Sequence, residues 1–275
     1  MCSTCGCNSN ENGITLTKMG ENHHTHHHHD GHTHSHEHHH GEDAHTHEHH
    51  HEHHHHSHDV NIVELEKDIL HQNQLGAERN RGFFDALNIF AMNLVSSPGS
   101  GKTSLLEKTI ADLKEEIEFS VIEGDQQTTN DAARIHALNV PVLQINTGKG
   151  CHLDSEMIAK SLKELKPKQN SILMIENVGN LVCPAMFDLG ENQRVVIIST
   201  TEGEDKPLKY PDMFHSSNIC IINKIDLLPY LKFDLEKLKE NAKKVNPNIT
   251  FFEVSATSGE GMEAWYEFLK SKVRS

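Results

Sequence analysis

From Asn88 onward, short apolar runs alternate with stretches of helical periodicity. Asn88–Val95 (NIFAMNLV) is apolar on both faces, as a parallel strand covered by helices on either side must be. The same pattern predicts strands at Phe119–Glu123, Val142–Ile145, Ser171–Glu176, Val195–Thr200, Asn218–Asn223 and Ile249–Val254. Helices are predicted at Lys102–Glu116, Asp131–Leu138, Leu153–Leu165, Phe233–Val245 and Gly261–Lys270. Before them, Ile62, Leu65, Ile69 and Leu70 lie near helical spacing, in a segment that runs towards Arg81 with Asp59 as its N-cap. Strands alternating with helices imply right-handed crossovers, a mostly parallel sheet flanked by helices, and ligands at its carboxyl edge. The expected fold class is α/β, with one domain over residues 60–275.

Residues 1–59 break that pattern. They lack the apolar content to bury a core, so their expected state is disordered. Of the chain's 26 histidines, 22 lie between His23 and His58. Glu, Asp, Ser, Thr and Gly are interspersed with them, unlike the uniform run of an expression tag. Cys2, Cys5 and Cys7 precede the tract. Thiolates and neutral imidazoles bind Ni, Zn, Cu and Co, so this segment points to metal. The expected organisation is a cysteine metal-binding motif in 1–20, a histidine-rich metal-binding tract in 21–59 that buffers many ions loosely, and the α/β domain.

Net charge is −15 with histidine neutral, which argues against a nucleic-acid partner. The tract would turn cationic below about pH 6. No apolar run approaches the ~20 residues that span a bilayer, and the start has no apolar signal region. The six cysteines read as reduced thiols, so the expected location is cytoplasmic.

Ser96-Ser97-Pro98-Gly99-Ser100-Gly101-Lys102-Thr103 follows the first predicted strand of the domain and opens a helix, the context of a P-loop. Glycines let backbone N–H groups close around phosphates, and the helix N-terminus favours negative charge. Gly99, Ser100, Gly101, Lys102, Thr103 and Ser104 are the expected phosphate-binding residues, with Lys102 on the β- and γ-phosphates and Thr103 on Mg²⁺. Ser96 stands where the usual pattern has glycine. Asn223-Lys224-Ile225-Asp226 ends a later strand. A carboxylate at Asp226 can accept from guanine N1–H and its 2-amino group, whereas adenine would leave it poorly paired. Lys224 can pack along the purine, and Ser255-Ala256 after the next strand suits a second base contact. The nucleotide is expected to be GTP.

Asp125 and Glu176 lie at strand ends where Mg²⁺ or a water-positioning group is needed, and with Lys102 they are the expected catalytic residues. Asp131 reads as a helix cap. Glu176-Asn177-Val178-Gly179 resembles the GTPase segment whose glycine amide senses the γ-phosphate. Cys151 and His152 are adjacent and cannot close a tetrahedral site alone, and Cys183 is a suitable third ligand in type. Spacing leaves that reading level with the alternative that the two thiols are small buried hydrophobes. Cys220 reads as core packing, and His71, His136 and His215 as surface or capping residues.

Taken together, Met1–Cys7 (MCSTCGC), Ser96–Thr103, Gly150-Cys151-His152, Glu176–Pro184 (ENVGNLVCP) and Asn223–Asp226 resemble the hydrogenase nickel-incorporation GTPases, the HypB family. The resemblance covers residues 1–7 and roughly 60–275, and Ser96 is usual in that family. It implies a P-loop NTPase fold and hydrolysis of GTP. It further implies a tight Ni²⁺ site at Cys2, Cys5 and Cys7, and a weaker Ni²⁺/Zn²⁺ site at Cys151, His152 and Cys183 near a GTP-promoted homodimer interface. The implied partners are a HypA-type metallochaperone and the large-subunit precursor of a [NiFe] hydrogenase, with the histidine tract as nickel storage. Two rivals remain. One is the urease GTPase, whose motif is Cys-Pro-His where this chain has Cys151-His152 with no proline between. The other is a nickel storage protein with a regulatory nucleotide domain.

Overall fold

The computed structural model describes residues 15–19, 62–126 and 130–273. Cys2, Cys5, Cys7, Asp59 and the histidine tract lie outside them. Eight strands form one sheet in the order β1-β4-β3-β5-β2-β6-β7-β8. They are β1 (Thr15–Lys18), β2 (Phe90–Ser96), β3 (Phe119–Asp125), β4 (Val142–Asn146), β5 (Ile172–Glu176), β6 (Gln193–Ser199), β7 (Ile219–Asn223) and β8 (Thr250–Glu253). All neighbours run parallel except β1, which pairs antiparallel with β4, Thr15 opposite Asn146. The hydrophobic pattern does not mark β1, because four polar-alternating residues on a sheet edge bury too little to stand out.

The helices are α1 (Ile62–Ala86), α2 (Lys102–Leu113), α3 (Asn130–His136), α4 (Ser155–Leu165), α5 (Lys206–Lys209), α6 (Pro211–Ser216), α7 (Leu235–Val245) and α8 (Met262–Val273). The predicted long helices are all present, with ends shifted by a few residues. The first apolar run becomes a strand only from Phe90, because Asn88 takes a left-handed φ of 48° and Ile89 N–H closes α1 on Phe84 O at 2.8 Å. The short α5 and α6 carry too little periodicity to be read from sequence.

Alternation along the strands divides the core between two faces. Met92, Leu94, Val121, Met174 and Ile197 pack with Leu106 and Ile110 of α2 and Trp265 and Leu269 of α8. On the opposite face, Ala91, Ile122, Leu143 and Ile175 pack with Phe84 of α1 and Ile158 and Leu162 of α4. A neighbouring cluster there joins Val95, Val196, Ile198 and Cys220 to Phe214 and Leu238. Cys220 is wholly buried, and burial pushes its thiol well up, as core packing requires.

Helix α1 is seated on α4 by polar contacts as well as apolar ones. Asn80 Nδ2 donates to Ser155 O at 2.8 Å and Leu189 O at 3.0 Å, while Ser155 N–H donates to Asn73 Oδ1 at 2.9 Å. Gly76 makes this approach possible, since a Cβ there would lie 2.3 Å from Ser155 Oγ. Gly76→Val should therefore lower unfolding stability by about 1–3 kcal/mol, although valine is the better helix former. A urea unfolding series on the two chains checks this.

Candidate functional site

The carboxyl ends of the strands gather the residues singled out by sequence. Ser96–Thr103 leaves β2 and enters α2, with Gly99 and Gly101 at left-handed φ of 79° and 88°. A Cβ on Gly101 would lie 2.5 Å from Asn223 Nδ2, so this glycine is demanded by close approach as well as by conformation. Ser96 is buried, and its hydroxyl donates to Ser97 O at 2.9 Å inside the loop. Ser104 is exposed in the first turn of α2, 3.4 Å from Arg134.

Glu176, at the end of β5, is the hub of the phosphate side. Its Oε1 accepts from Lys102 Nζ at 2.8 Å and from Thr103 Oγ1 at 2.6 Å. Glu123 stands opposite it on β3. The Oε2 atoms of both are buried with no hydrogen-bond partner among the described residues. Burial first, then the charges of Glu176 and Asp125, push the Glu123 carboxyl up to about 8. Both line a cleft of about 450 Å³ with Ser97–Ser104, Asp125, Asp131, Arg134, Gly179 and Lys224. Unsatisfied carboxylate oxygens beside a threonine hydroxyl fit a hydrated Mg²⁺, which prefers oxygen ligands. Asp125 closes β3 and accepts from Gln126 N–H at 2.7 Å. Asp131 is not the cap expected of it: α3 begins at Asn130, so Asp131 falls inside the first turn and pairs with Arg134. Gly179 lies against the loop, where a Cβ would be 3.4 Å from Pro98 Cα.

On the base side, Asn223 acts as a clamp. Its Nδ2 donates to Ser100 O at 3.0 Å, and its Oδ1 accepts from Ala256 N–H at 3.2 Å and Lys224 N–H at 2.8 Å. Lys224, at a left-handed φ of 64°, turns its Nζ back to Gly99 O at 2.7 Å. Asp226 Oδ1 accepts from Ser255 Oγ at 2.6 Å, so the carboxylate is held by the loop after β8.

Cys151 and His152 lie between β4 and α4, and Cys183 opens a 3₁₀ turn, Cys183–Met186, 31 residues after His152. Their ligand atoms all lie within 4.8 Å of one another. The ring of Phe187 stacks on His152 at 3.9 Å, and burial lowers the imidazole's pKa, which favours the neutral form a metal needs. Asn180 Nδ2 donates to Cys151 O at 3.3 Å, tying this loop to the segment after Glu176. These contacts make a three-ligand set with two thiols and an imidazole, suited to Ni²⁺ or Zn²⁺.

Sequence reasoning passed over Glu123, Arg134 and Phe187. A lone acid in the run FSVIEG was the available signal for Glu123. An acid with a raised pKa weakens folding as pH climbs, because the unfolded chain ionises near 4.5 while Glu123 holds its proton to about 8. The nucleotide-free chain should lose stability across that window. Glu123→Gln should flatten the loss, read as melting temperature against pH.

Comparison with known proteins accords with this geometry. Residues 90–253 match the family model of the CobW/HypB/UreG nucleotide-binding domain. The hydrogenase maturation factor HypB of Escherichia coli K12 is 56% identical over 211 residues, 77% of this chain and 73% of its own length. The hydrogenase/urease maturation factor HypB of Helicobacter hepaticus is 41% identical over 214 residues, 76% of this chain and 88% of its own. The crystal structure of HypB from Archaeoglobus fulgidus superposes with a TM-score of 0.69 at 39% identity, over 74% of this chain and 98% of that one. HypB from Helicobacter pylori, solved in complex with nickel, gives 0.68 at 38% identity, over 74% and 95%. With a nucleotide-binding model across most of its α/β domain and relatives matched over two thirds of both chains, this chain belongs to the CobW/HypB/UreG family and, within it, to the hydrogenase maturation factors HypB.

Proposed function

We propose that the chain is a GTP-hydrolysing nickel chaperone that stores Ni²⁺ and passes it to the active site of a [NiFe] hydrogenase during maturation. One observation carries this reading. A single segment, Glu176 to Cys183, begins on the carboxylate that holds Lys102 and Thr103 and ends on a ligand of the thiol–imidazole set. Nucleotide and metal are thereby joined by eight residues of chain. The names of the relatives, and the nickel in one of their structures, support the same reading.

Lys102 would leave Glu176 for the β- and γ-phosphates, with the backbone N–H groups of Gly99–Thr103 around them. Thr103, Glu176 and Asp125 would hold Mg²⁺, which supplies neutralisation of the developing phosphate charge. Asp226, braced by Ser255, would select guanine. With Glu176 released by Lys102, Gly179 can meet the γ-phosphate and shift the chain towards Cys183. Metal affinity at Cys151, His152 and Cys183 would follow the nucleotide, and reciprocity requires that metal alter nucleotide affinity by the same factor.

A GTP-promoted homodimer, a HypA-type metallochaperone and the hydrogenase large-subunit precursor are the expected partners, in the cytoplasm. Among the described residues no helix is long and apolar enough to cross a membrane. Cys2, Cys5 and Cys7 would form the tight Ni²⁺ site, with Zn²⁺ as its competitor. A second role in urease maturation is favoured by the name of the Helicobacter hepaticus relative. The missing proline between Cys151 and His152 sets the chain apart from urease GTPases proper.

Lys102→Ala should lower GTP turnover by about 10²-fold or more while leaving Ni²⁺ binding at Cys2, Cys5 and Cys7 intact. Loss of both together would mean misfolding. Deleting residues 21–59 should sharply cut the number of Ni²⁺ ions bound, while hydrogenase maturation persists in nickel-rich medium. Failure of maturation there would mean that residues 21–59 take part in delivery and are not only a store.

A further inference from the structure

Asn93, Asn177, Glu191 and Arg194 are buried polar residues that neither the nucleotide nor the metal chemistry uses directly. Each is at most 9% exposed. They sit on the sheet face opposite the P-loop, between the two apolar clusters of that face. Successive residues of an extended chain point to opposite faces. Glu176 therefore meets Lys102 and Thr103, and Asn177, the next residue, meets the metal side.

The hydrogen bonds run without a gap. Asn177 Oδ1 accepts from Val178 N–H at 3.0 Å and from Leu153 N–H, next to His152, at 3.2 Å. Asn177 Nδ2 donates to Asn93 Oδ1 at 3.2 Å, and Asn93 Nδ2 donates to Glu191 Oε1 at 3.1 Å. That same oxygen accepts from Arg194 Nε at 3.0 Å. The guanidinium then donates to Ala185 O at 2.9 Å and Phe187 O at 2.8 Å. Ala185 lies in the turn that Cys183 opens, and Phe187 is the ring stacked on His152.

We propose that Asn177, Asn93, Glu191 and Arg194 form a buried relay that ties the nucleotide-facing segment Glu176–Gly179 to both halves of the Cys151/His152/Cys183 set. This rests on the reading that the chain couples nucleotide to metal. The buried Arg194–Glu191 pair is the fixed post, because separating a desolvated ion pair is strongly unfavourable. Asn93, hydrogen-bonded to that post, sets the orientation of the Asn177 amide. A shift of the backbone at 176–179 must then be carried to Leu153 and His152, since the Asn177 side chain cannot rotate to absorb it. The Cys183 side stays held through Ala185, which lies in its own turn. The two halves of the ligand set move relative to each other, and metal affinity changes with the nucleotide. Asn93 is thus a positioning residue that touches neither ligand.

The test uses the full-length chain carrying Cys2→Ser, Cys5→Ser and Cys7→Ser, with free Ni²⁺ set by a chelator buffer. Thiolate-to-nickel charge-transfer absorption then reads binding through Cys151 and Cys183 despite the histidine tract. Affinity is measured with GDP and with a non-hydrolysable GTP analogue, with and without Asn93→Ala. Thermal melting and nucleotide affinity serve as the check that each chain is folded. The expected result is a nucleotide-dependent ratio that falls within the usual 5–150-fold coupling range in the parent and to within about twofold in the variant. The reciprocal effect of Ni²⁺ on nucleotide affinity should collapse by the same factor. If Asn93→Ala does not fold, Asn93→Val, which suits a strand and can neither donate nor accept along the relay, is read in its place. A folded variant that keeps the parent's ratio overturns the relay and leaves the functional reading standing. A parent with equal Ni²⁺ affinity in both nucleotide states overturns both.

Discussion

The Glu176 carboxylate sets the terms for everything at the carboxyl edge of the sheet. It is buried at the end of β5, and its Oε1 is shared by Lys102 and Thr103. A buried charge has to be paired, so whatever enters the cleft must replace one of those partners with another. The loop is therefore held closed on itself through an interaction that substrate phosphates compete for. Glu123, directly across on β3, is pushed up to about 8, first by burial and then by the charges of Glu176 and Asp125. The site is electrostatically poised for an anion on Lys102 and a cation between the acids.

That edge works as a unit because strand register fixes it. Parallel strands deliver their following loops to one side, and neighbouring pairs bring Glu123, Glu176 and the turn after β2 together. Asn223 then links the phosphate loop to the loops after β7 and β8, so base and phosphate contacts are built on shared hydrogen bonds. The thiol–imidazole set occupies the flank of the same edge, with the loop after β4 supplying Cys151 and His152 and the chain after β5 supplying Cys183. Because Glu176 and Asn177 face opposite sides of the sheet, one short segment is in contact with both chemistries.

The local motifs were legible in advance. Ser96–Thr103 and Asn223–Asp226 are contiguous, so their backbone conformations and close approaches follow from a few neighbouring residues. The strands and long helices were legible because periodicity reports which face is buried. Cys183 was readable as a ligand by type, though its meeting with Cys151 and His152 depends on how far the chain after β5 folds back. Glu123 was passed over because its partner Glu176 lies on another strand, and strand pairing is not written in either segment. The edge strand Thr15–Lys18 gave no signal, since its contribution is a ladder of backbone hydrogen bonds that any sequence could make.

By itself, then, the sequence determined the α/β class, the P-loop pattern of Ser96–Thr103, the Asn223–Asp226 motif and the residue types available for metal, because each depends on neighbours along the chain. Only the tertiary structure decided that Glu176 clamps Lys102 and Thr103, that Cys183 converges with Cys151 and His152 from 31 residues further along the chain, and that Asn93, Asn177, Glu191 and Arg194 form one connected network. Those outcomes rest on register between strands distant in sequence and on burial, which makes each polar group find a partner that packing happens to bring within reach.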